Sequence, residues 1–309
     1  MRYYFAPMEG LTDCIYRQLH QKYFPGVDRY YTPFFSPTVH RSLTPKEAQE
    51  LPAVTEKDVT TVPQILTKSS EDFIWMSQQC AALGYREVNL NLGCPSGTVT
   101  AKGKGSGMLR DLEKLAVFLE EIFASSALPI SVKTRIGFSD PEEFGLILQL
   151  LNRFPIKELT VHPRVREDFY KGSICYEAFC LAEEKALAPL CYNGDVTSLS
   201  VADAIQKRFP KVEAIMVGRG LIRDPGMFTI GGTTATQLEA FMDALFDAYH
   251  QKFGSARNTM FRMKEHWGML VTRFEGSEKL AKELRKTTDL QQFRCLTHEL
   301  LHCHRLLTD

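Results

Sequence analysis

Eight short apolar or β-branched runs alternate with longer helix-period stretches through the first 218 residues of the chain, and this alternation limits the fold more than any other feature. The strand-like runs cover residues 3–6, 29–34, 61–66, 87–92, 130–134, 158–162, 190–193 and 214–218, with helical stretches such as 71–83, 112–125, 141–153 and 201–208 between them. Strands that alternate with helices form parallel sheets. Eight such units in a chain of 309 residues, 44% hydrophobic, predict a (β/α)8 TIM barrel. A doubly wound open sheet is the competing α/β fold. It usually declares itself by Gly-x-Gly-x-x-Gly after the first strand, where this chain reads APMEGLTD instead.

Past Thr233 the strand pattern stops. Residues 237–253 and 257–308 are helical in period and contain no proline, which predicts a barrel over 1–233 and a C-terminal helical domain over 236–309. Lys plus Arg and Asp plus Glu balance at 37 each, so no global field advertises a polyanionic partner. Locally the balance fails. Between Lys252 and Arg294 ten basic residues face five acidic ones, a pattern that by itself is a solvated helical face. The N-terminus MRYYFAPMEG has no secretory pattern and no apolar run is long enough to span a membrane, so a cytoplasmic protein is expected. The eight cysteines include no Cys-x-x-Cys pair, which argues against both a disulfide framework and a zinc site. His298, His302, Cys303 and His304 cluster in HELLHCHRLL but lack a second ligand pair, and no metal is expected.

In such a barrel the chemistry sits where strands end and βα loops begin. Here those ends carry polar and small residues: Pro7-Met8-Glu9-Gly10, Gln64, Asn91-Leu92-Gly93-Cys94-Pro95, Lys133 and Arg135, His162-Pro163-Arg164, Asn193-Gly194-Asp195, and Gly218-Arg219-Gly220. The Gly-rich turns after the last two strands suit a phosphate, with Arg219 as a fork donor. Lys133 would place an ammonium in the barrel mouth, where an electron-rich ring such as a flavin is one candidate partner. Gln64, Asn91 and His162 suit the edges of such a ring, or equally a buried hydrogen-bond network; Met8 reads equally as packing.

The most unusual stretch is NLNLGCPSGTVTAKGKGSGML, residues 89–109, which places Cys94 in a Gly/Pro corner at a strand end. Packing, metal ligation, nucleophilic attack and proton donation all use a cysteine. The corner is poor core, and no partnering cysteine motif exists for a metal. A nucleophile needs an activating base within hydrogen-bond reach.

Taken in order, APMEGLTD, the stretch 89–109, VKTRIG, TVHPRVREDFYKG, YNGDV and IMVGRGLIRDP resemble the tRNA-dihydrouridine synthase family across roughly the first 225 residues. FRMKEHW, residues 261–267, is similar to a basic motif of that family's helical tRNA-binding domain. The resemblance implies an FMN-bound barrel that reduces one uridine of tRNA to 5,6-dihydrouridine with electrons from NADPH. Carried over by motif, Pro7, Met8, Glu9, Gln64, Lys133, His162, Asn193, Gly194, Asp195, Gly218 and Arg219 contact FMN. Cys94 is the catalytic acid, and Asn91, Lys102, Arg164 and Arg166 face the substrate. The chain departs from the family pattern at His-Pro-Arg, where His-Gly-Arg is commoner. Gly97, Gly103 and Gly107 also enrich the loop after Cys94, which is therefore expected to be mobile until RNA binds.

Reduction of the uracil C5–C6 bond requires a hydride at C6, from reduced flavin, and a proton at C5. A thiol of ordinary pKa, about 8.5, is largely protonated near neutrality and suits the second task. Beside such chemistry, the basic tail reads as an RNA-binding face. Two other readings remain. An FMN barrel reducing a small pyrimidine, similar to dihydroorotate dehydrogenase, does not explain the tail. A non-catalytic RNA-binding barrel does not explain Cys94, Lys133, His162 and Gly218-Arg219 together. A monomer is expected, and no motif says which uridine is modified.

Overall fold

The computed structural model describes residues 1–37, 40–52, 54 and 61–307. Its central feature is one parallel sheet of nine segments: β1 Arg2–Phe5, β2 Arg29–Tyr31, β3 Thr61–Val62, β4 Gln64–Ile65, β5 Val88–Leu92, β6 Ile130–Gly137, β7 Leu159–Val165, β8 Leu190–Tyr192 and β9 Val212–Val217. The order around the sheet is β3-β2-β1-β9-β8-β7-β6-β5-β4. Its two ends, β3 and β4, are separated only by Pro63, which has no N–H to donate and breaks one strand into two segments. Val62 accepts from the Thr32 N–H on one side at 3.1 Å, and Pro63 accepts from the Asn89 N–H on the other at 2.8 Å. The sheet therefore closes as an eight-stranded barrel, as the eightfold alternation predicts.

Inward-facing side chains alternate along each strand. Inside the barrel, Tyr4, Ala6, Tyr31, Val62, Cys191, Ala214 and Met216 form a buried cluster. Below it the Tyr4 hydroxyl donates to Glu158 at 2.8 Å and the Tyr31 hydroxyl donates to the same carboxylate at 3.3 Å. Arg29 reaches Glu87 at 3.5 Å and Glu158 at 3.7 Å. This apolar and ionic plug fills the lower barrel and leaves the C-terminal strand ends for chemistry.

The residue boundaries shift in instructive places. β6 runs to Gly137, three residues past its expected end, and β7 runs to Val165 despite Pro163. The β6–β7 register shifts between the Arg135–His162 and Gly137–Val165 pairs, a bulge that tolerates a proline lacking its N–H. The C-terminal stretch 257–308 is three α-helices, Ala256–Leu270, Glu278–Lys286 and Leu290–Cys303; the first break is a turn with Gly276 at φ +66°. Residues 308–309, at the end of the expected helical domain, lie outside the described residues.

Packing divides the chain into two units, and the boundary differs from 233/236. The first comprises residues 1–7, 28–195 and 205–216; the second comprises 8–27, 196–204 and 217–309. The early helix Cys14–Tyr23 falls in the second unit for a clear reason. Its Tyr16 stacks on His266 at 4.8 Å and meets Phe241 edge-on at 5.5 Å, while Phe24 meets Phe241 at 5.2 Å. Tyr249 donates to Asp13 at 2.9 Å, and Asp13 caps that early helix. The C-terminal helices are thus the other half of a core begun at residue 14. Among the described residues, no helix is long and apolar enough to cross a membrane.

Candidate active site

β5 carries the polar heart of the first unit. Gln64 donates to Asn89 at 2.8 Å, Asn89 donates to Ser131 at 3.0 Å, and Asn91 donates to Gln64 at 2.7 Å. Alternate residues of neighbouring strands thereby join into a buried amide ladder. Asn91 then turns the chain. Its Oδ1 accepts the N–H of Gly93 at 3.0 Å and of Cys94 at 2.9 Å, an Asx-type corner fixed by the side chain. Gln64 has no exposed surface and is tied to Asn89 and Asn91. Asn91 is buried, with its amide nitrogen on Gln64 and its oxygen on the corner that leads into Cys94.

Cys94 is half-buried at that corner. Its carbonyl accepts from the Ser106 backbone at 3.2 Å and from the Ser106 hydroxyl at 2.8 Å. The glycine-rich loop behind it is an ordered wrap, a short helix Gly97–Thr100 followed by a 3-10 turn Gly105–Arg110. A Cβ on Gly105, at φ +58°, would sit 3.0 Å from the Cys94 carbonyl oxygen; one on Gly107 would sit 2.9 Å from the Thr100 carbonyl oxygen. Gly105 thereby permits close packing against the cysteine, and Gly107 against Thr100. Lys102 projects from the same loop, exposed.

Lys133, on β6 opposite Asn91, is the cation of the barrel mouth. Burial, followed by the neighbouring Arg135 charge, lowers its pKa to about 8, while the thiols of Cys191 and Cys94 act in the opposite direction. Among the described residues no carboxylate pairs with it. Arg135, two residues on, is almost completely buried and spends its guanidinium on three carbonyls: Gly93 at 3.0 Å, Val165 at 2.8 Å and Phe169 at 2.6 Å. Burial is the main reason its pKa falls to about 10.

β7 supplies His162 and Arg164, both buried. A nitrogen of Arg164 lies 3.4 Å from His162 Nε2, and its Nε donates to the Gly172 carbonyl at 2.5 Å. The rest of the guanidinium forms a two-pronged pair with Asp195, at 2.9 Å for one prong. That pair raises the Arg164 pKa. It holds Arg164 against the end of β8, where Asp195 takes φ +44°. Arg166 is half-buried and donates to Thr100 at 3.3 Å. Asn193 donates to the Met216 carbonyl at 2.8 Å, tying β8 to β9. Gly194 is buried, and a side chain there would come within 2.9 Å of Ile174, so the strand end packs closely around a glycine.

Pro7 ends the first stretch of this unit, whereas Met8, Glu9, Gly218 and Arg219 belong to the second. Met8 opens a tight turn: its carbonyl accepts from Leu11 at 3.0 Å and Thr12 at 3.1 Å, and Gly10 takes φ +79°. Arg262, from the basic motif, donates to the Gly10 carbonyl. Glu9 is exposed, Gly218 caps the five-residue helix Arg219–Arg223, and Arg219 is exposed at its start.

Residues 4–300 match the model of the family described as dihydrouridine synthase. The chain belongs to that family. It is 25% identical to probable tRNA-dihydrouridine synthase 1 of Synechocystis sp., over 97% of this chain and 86% of the relative. It is 31% identical to probable tRNA-dihydrouridine synthase 2 of Bacillus subtilis, over 72% of this chain and 70% of the relative. Among solved structures, morphinone reductase superposes with a TM-score of 0.51 at 14% identity, covering 75% of this chain and 86% of that one. Histamine dehydrogenase from Rhizobium sp. 4-9 gives 0.53 at 12% identity, over 73% of this chain and 45% of that one. Those two likenesses concern the barrel fold.

Against this dihydrouridine synthase frame, the first unit brings together Gln64, Asn91, Cys94, Lys102, Lys133, His162, Arg164, Arg166, Asn193, Gly194 and Asp195. The sequence reading missed Asn89 and Ser131 in the ladder and Ser106 behind Cys94, and it placed Arg135 at a strand end without its hold on three carbonyls. The period-2 polar pattern Asn89/Asn91, Ser131/Lys133/Arg135 and Thr160/His162/Arg164 was the available signal, since three neighbouring strands repeat it on the same face.

Proposed function

We propose that this dihydrouridine synthase reduces the C5–C6 double bond of a uridine in tRNA to give 5,6-dihydrouridine, using bound FMN. The observation that carries the reading is Lys133: a desolvated ammonium at the strand ends, unpaired by any described carboxylate, beside the Cys94 thiol. Such a charge favours an electron-rich ring as its partner. Lys133, His162, Asn193 and Gly194 would hold FMN, with Pro7, Met8, Glu9, Gly218 and Arg219 added on the strength of their motifs. Asp195 and Gln64 support this set through Arg164 and Asn91. When bound and reduced, FMN would supply a hydride for the uracil C6, with NADPH as the proposed source of its electrons.

The chain itself supplies the proton. The Cys94 thiol gives its hydrogen to C5 and is left as a thiolate, which the Lys133 charge stabilises. Asn91 and Arg135 hold the corner from either side, through the Gly93 and Cys94 N–H groups and the Gly93 carbonyl. Ser106 fixes the Cys94 carbonyl. The target uridine must leave its stack, at a cost of a few kcal/mol. Phosphate contacts from Lys102 and from the basic helices after Lys252 offset that cost.

The test is Cys94→Ala. It should retain flavin absorbance and tRNA affinity while losing dihydrouridine formation, and unchanged turnover would overturn the assignment of the acid.

A further inference from the structure

We propose that the Phe169 ring is a stacking platform for a base next to the target uridine, an inference that rests on the tRNA-reductase reading. Phe169 lies in the turn after β7, where the Val165 N–H donates to Asp168 at 3.3 Å, the Phe169 N–H to the Arg166 carbonyl at 3.1 Å and the Lys171 N–H to the Asp168 carbonyl at 2.9 Å. At φ +49° it occupies the left-handed region, which a bulky aromatic residue adopts at an energetic cost. Strain at a functional surface is retained when the conformation serves a task. Core packing is not that task, because 40% of the residue is exposed, as is 52% of Tyr170 beside it.

What backs the ring is cationic. The Arg166 guanidinium sits 4.8 Å from the Phe169 centroid and 5.3 Å from that of Phe138, and the Arg110 guanidinium lies 3.7 Å from the same Phe138 centroid. Rings and guanidinium groups thus alternate beside the strand ends, with Arg166 Nε buried and lacking a hydrogen-bond partner among the described residues. Two links fix this array to the catalytic corner. Arg135 holds the Phe169 carbonyl and the Gly93 carbonyl with one guanidinium, and Arg166 reaches Thr100 in the helix that follows Cys94.

The ligand that fits is the flat face of an unstacked nucleobase, with its phosphate near Arg110, Arg166 and Lys171. The carboxylates in the turn are engaged locally: Asp168 accepts from Val165, and Glu167 accepts from Ser139 at 3.1 Å. Extruding one nucleotide unstacks its neighbours, and an aromatic ring replaces a lost stack whatever the base identity. The platform therefore stabilises the flipped state without reading sequence.

Phe169→Gly is the decisive variant, since glycine accepts φ +49° without strain and deletes the ring. Its Tm should equal or exceed that of the unaltered protein, while KM for tRNA rises roughly 5- to 100-fold, the loss expected for one base–aromatic stack. Phe169→Trp should restore KM and show tryptophan quenching when tRNA is added. A wild-type KM in the glycine variant, a lowered Tm in that variant, or an unquenched tryptophan would each overturn the platform. If the unaltered protein reduces tRNA and these variants behave otherwise than expected, only the platform falls. If the unaltered protein forms no dihydrouridine, the functional reading falls and takes the platform with it.

Discussion

Replacing Arg135 by methionine keeps an unbranched side chain in the slot and removes the fork that ties three loops together. Hydrogen bonds to a charged group contribute about 1.5–3 kcal/mol each, so three would sum to roughly 5–9 kcal/mol. Burial of the guanidinium works the other way: its pKa is lowered from 12.5 to about 10, which corresponds to roughly 3 kcal/mol. The net loss expected is about 2–6 kcal/mol, or a Tm decline of roughly 5–15 °C at a few degrees per kcal/mol. The effect on chemistry should be disproportionate, because Gly93 immediately precedes Cys94 and a misplacement of about 1 Å can cost on the order of 100-fold in rate. Lys133 and His162 remain, so flavin binding should persist. Thermal melts, flavin absorbance and single-turnover reduction of tRNA separate these effects. Arg135→Lys should rescue little, since a compact ammonium cannot span three carbonyls. A variant with lowered Tm but unchanged single-turnover rate would show that Arg135 is a structural tie alone; unchanged Tm would refute the energetic reasoning as well.

Two further outcomes follow from titrating groups. Lys133 has a pKa of about 8 in the protein, below its ordinary 10.5, so its burial costs stability progressively as pH falls from 10.5 to 8. A bound electron-rich ring favours the charged form; FMN affinity of the apoprotein should therefore be flat below about pH 8 and decline above it. Fluorescence titration would show this, and Lys133→Met should weaken binding and abolish the pH dependence; a Met variant with the native profile contradicts the role. His20 and His266 are buried in the aromatic core of the second unit, with pKa values lowered by burial to about 3. Their unfolded forms take up protons first, so stability is complete above pH 6.5 and falls toward pH 3, by up to roughly 1.4 kcal/mol per pH unit for each. His266→Phe, which preserves the stack on Tyr16, should halve that slope in Tm measured against pH; an unchanged slope excludes His266 as a contributor.

The barrel was legible because strand and helix periods differ and eight alternations leave few topologies. The Pro63 break was not, since a proline in a strand is visible in sequence but the neighbouring segments that accept it are not. Cys94 stood out through its Gly/Pro corner. The side-chain partners of Gln64, Asn91, Arg164 and Asp195 were not legible, because a polar residue at a strand end has the same letter whether it meets a ligand or another side chain. Arg164 and Asp195 are 31 residues apart along the chain and paired in space. The two packing units were hidden for the same reason: only contact with Phe241 and His266 assigns Tyr16, His20 and Phe24 to the second core.

The central claim is chemical, and nucleoside mass spectrometry tests it most directly. Unmodified tRNA incubated with the purified protein, FMN and NADPH should yield dihydrouridine, a gain of two hydrogens on a uridine, while Cys94→Ala yields none under the same conditions. Absence of dihydrouridine with a flavin-loaded, folded protein would contradict the account.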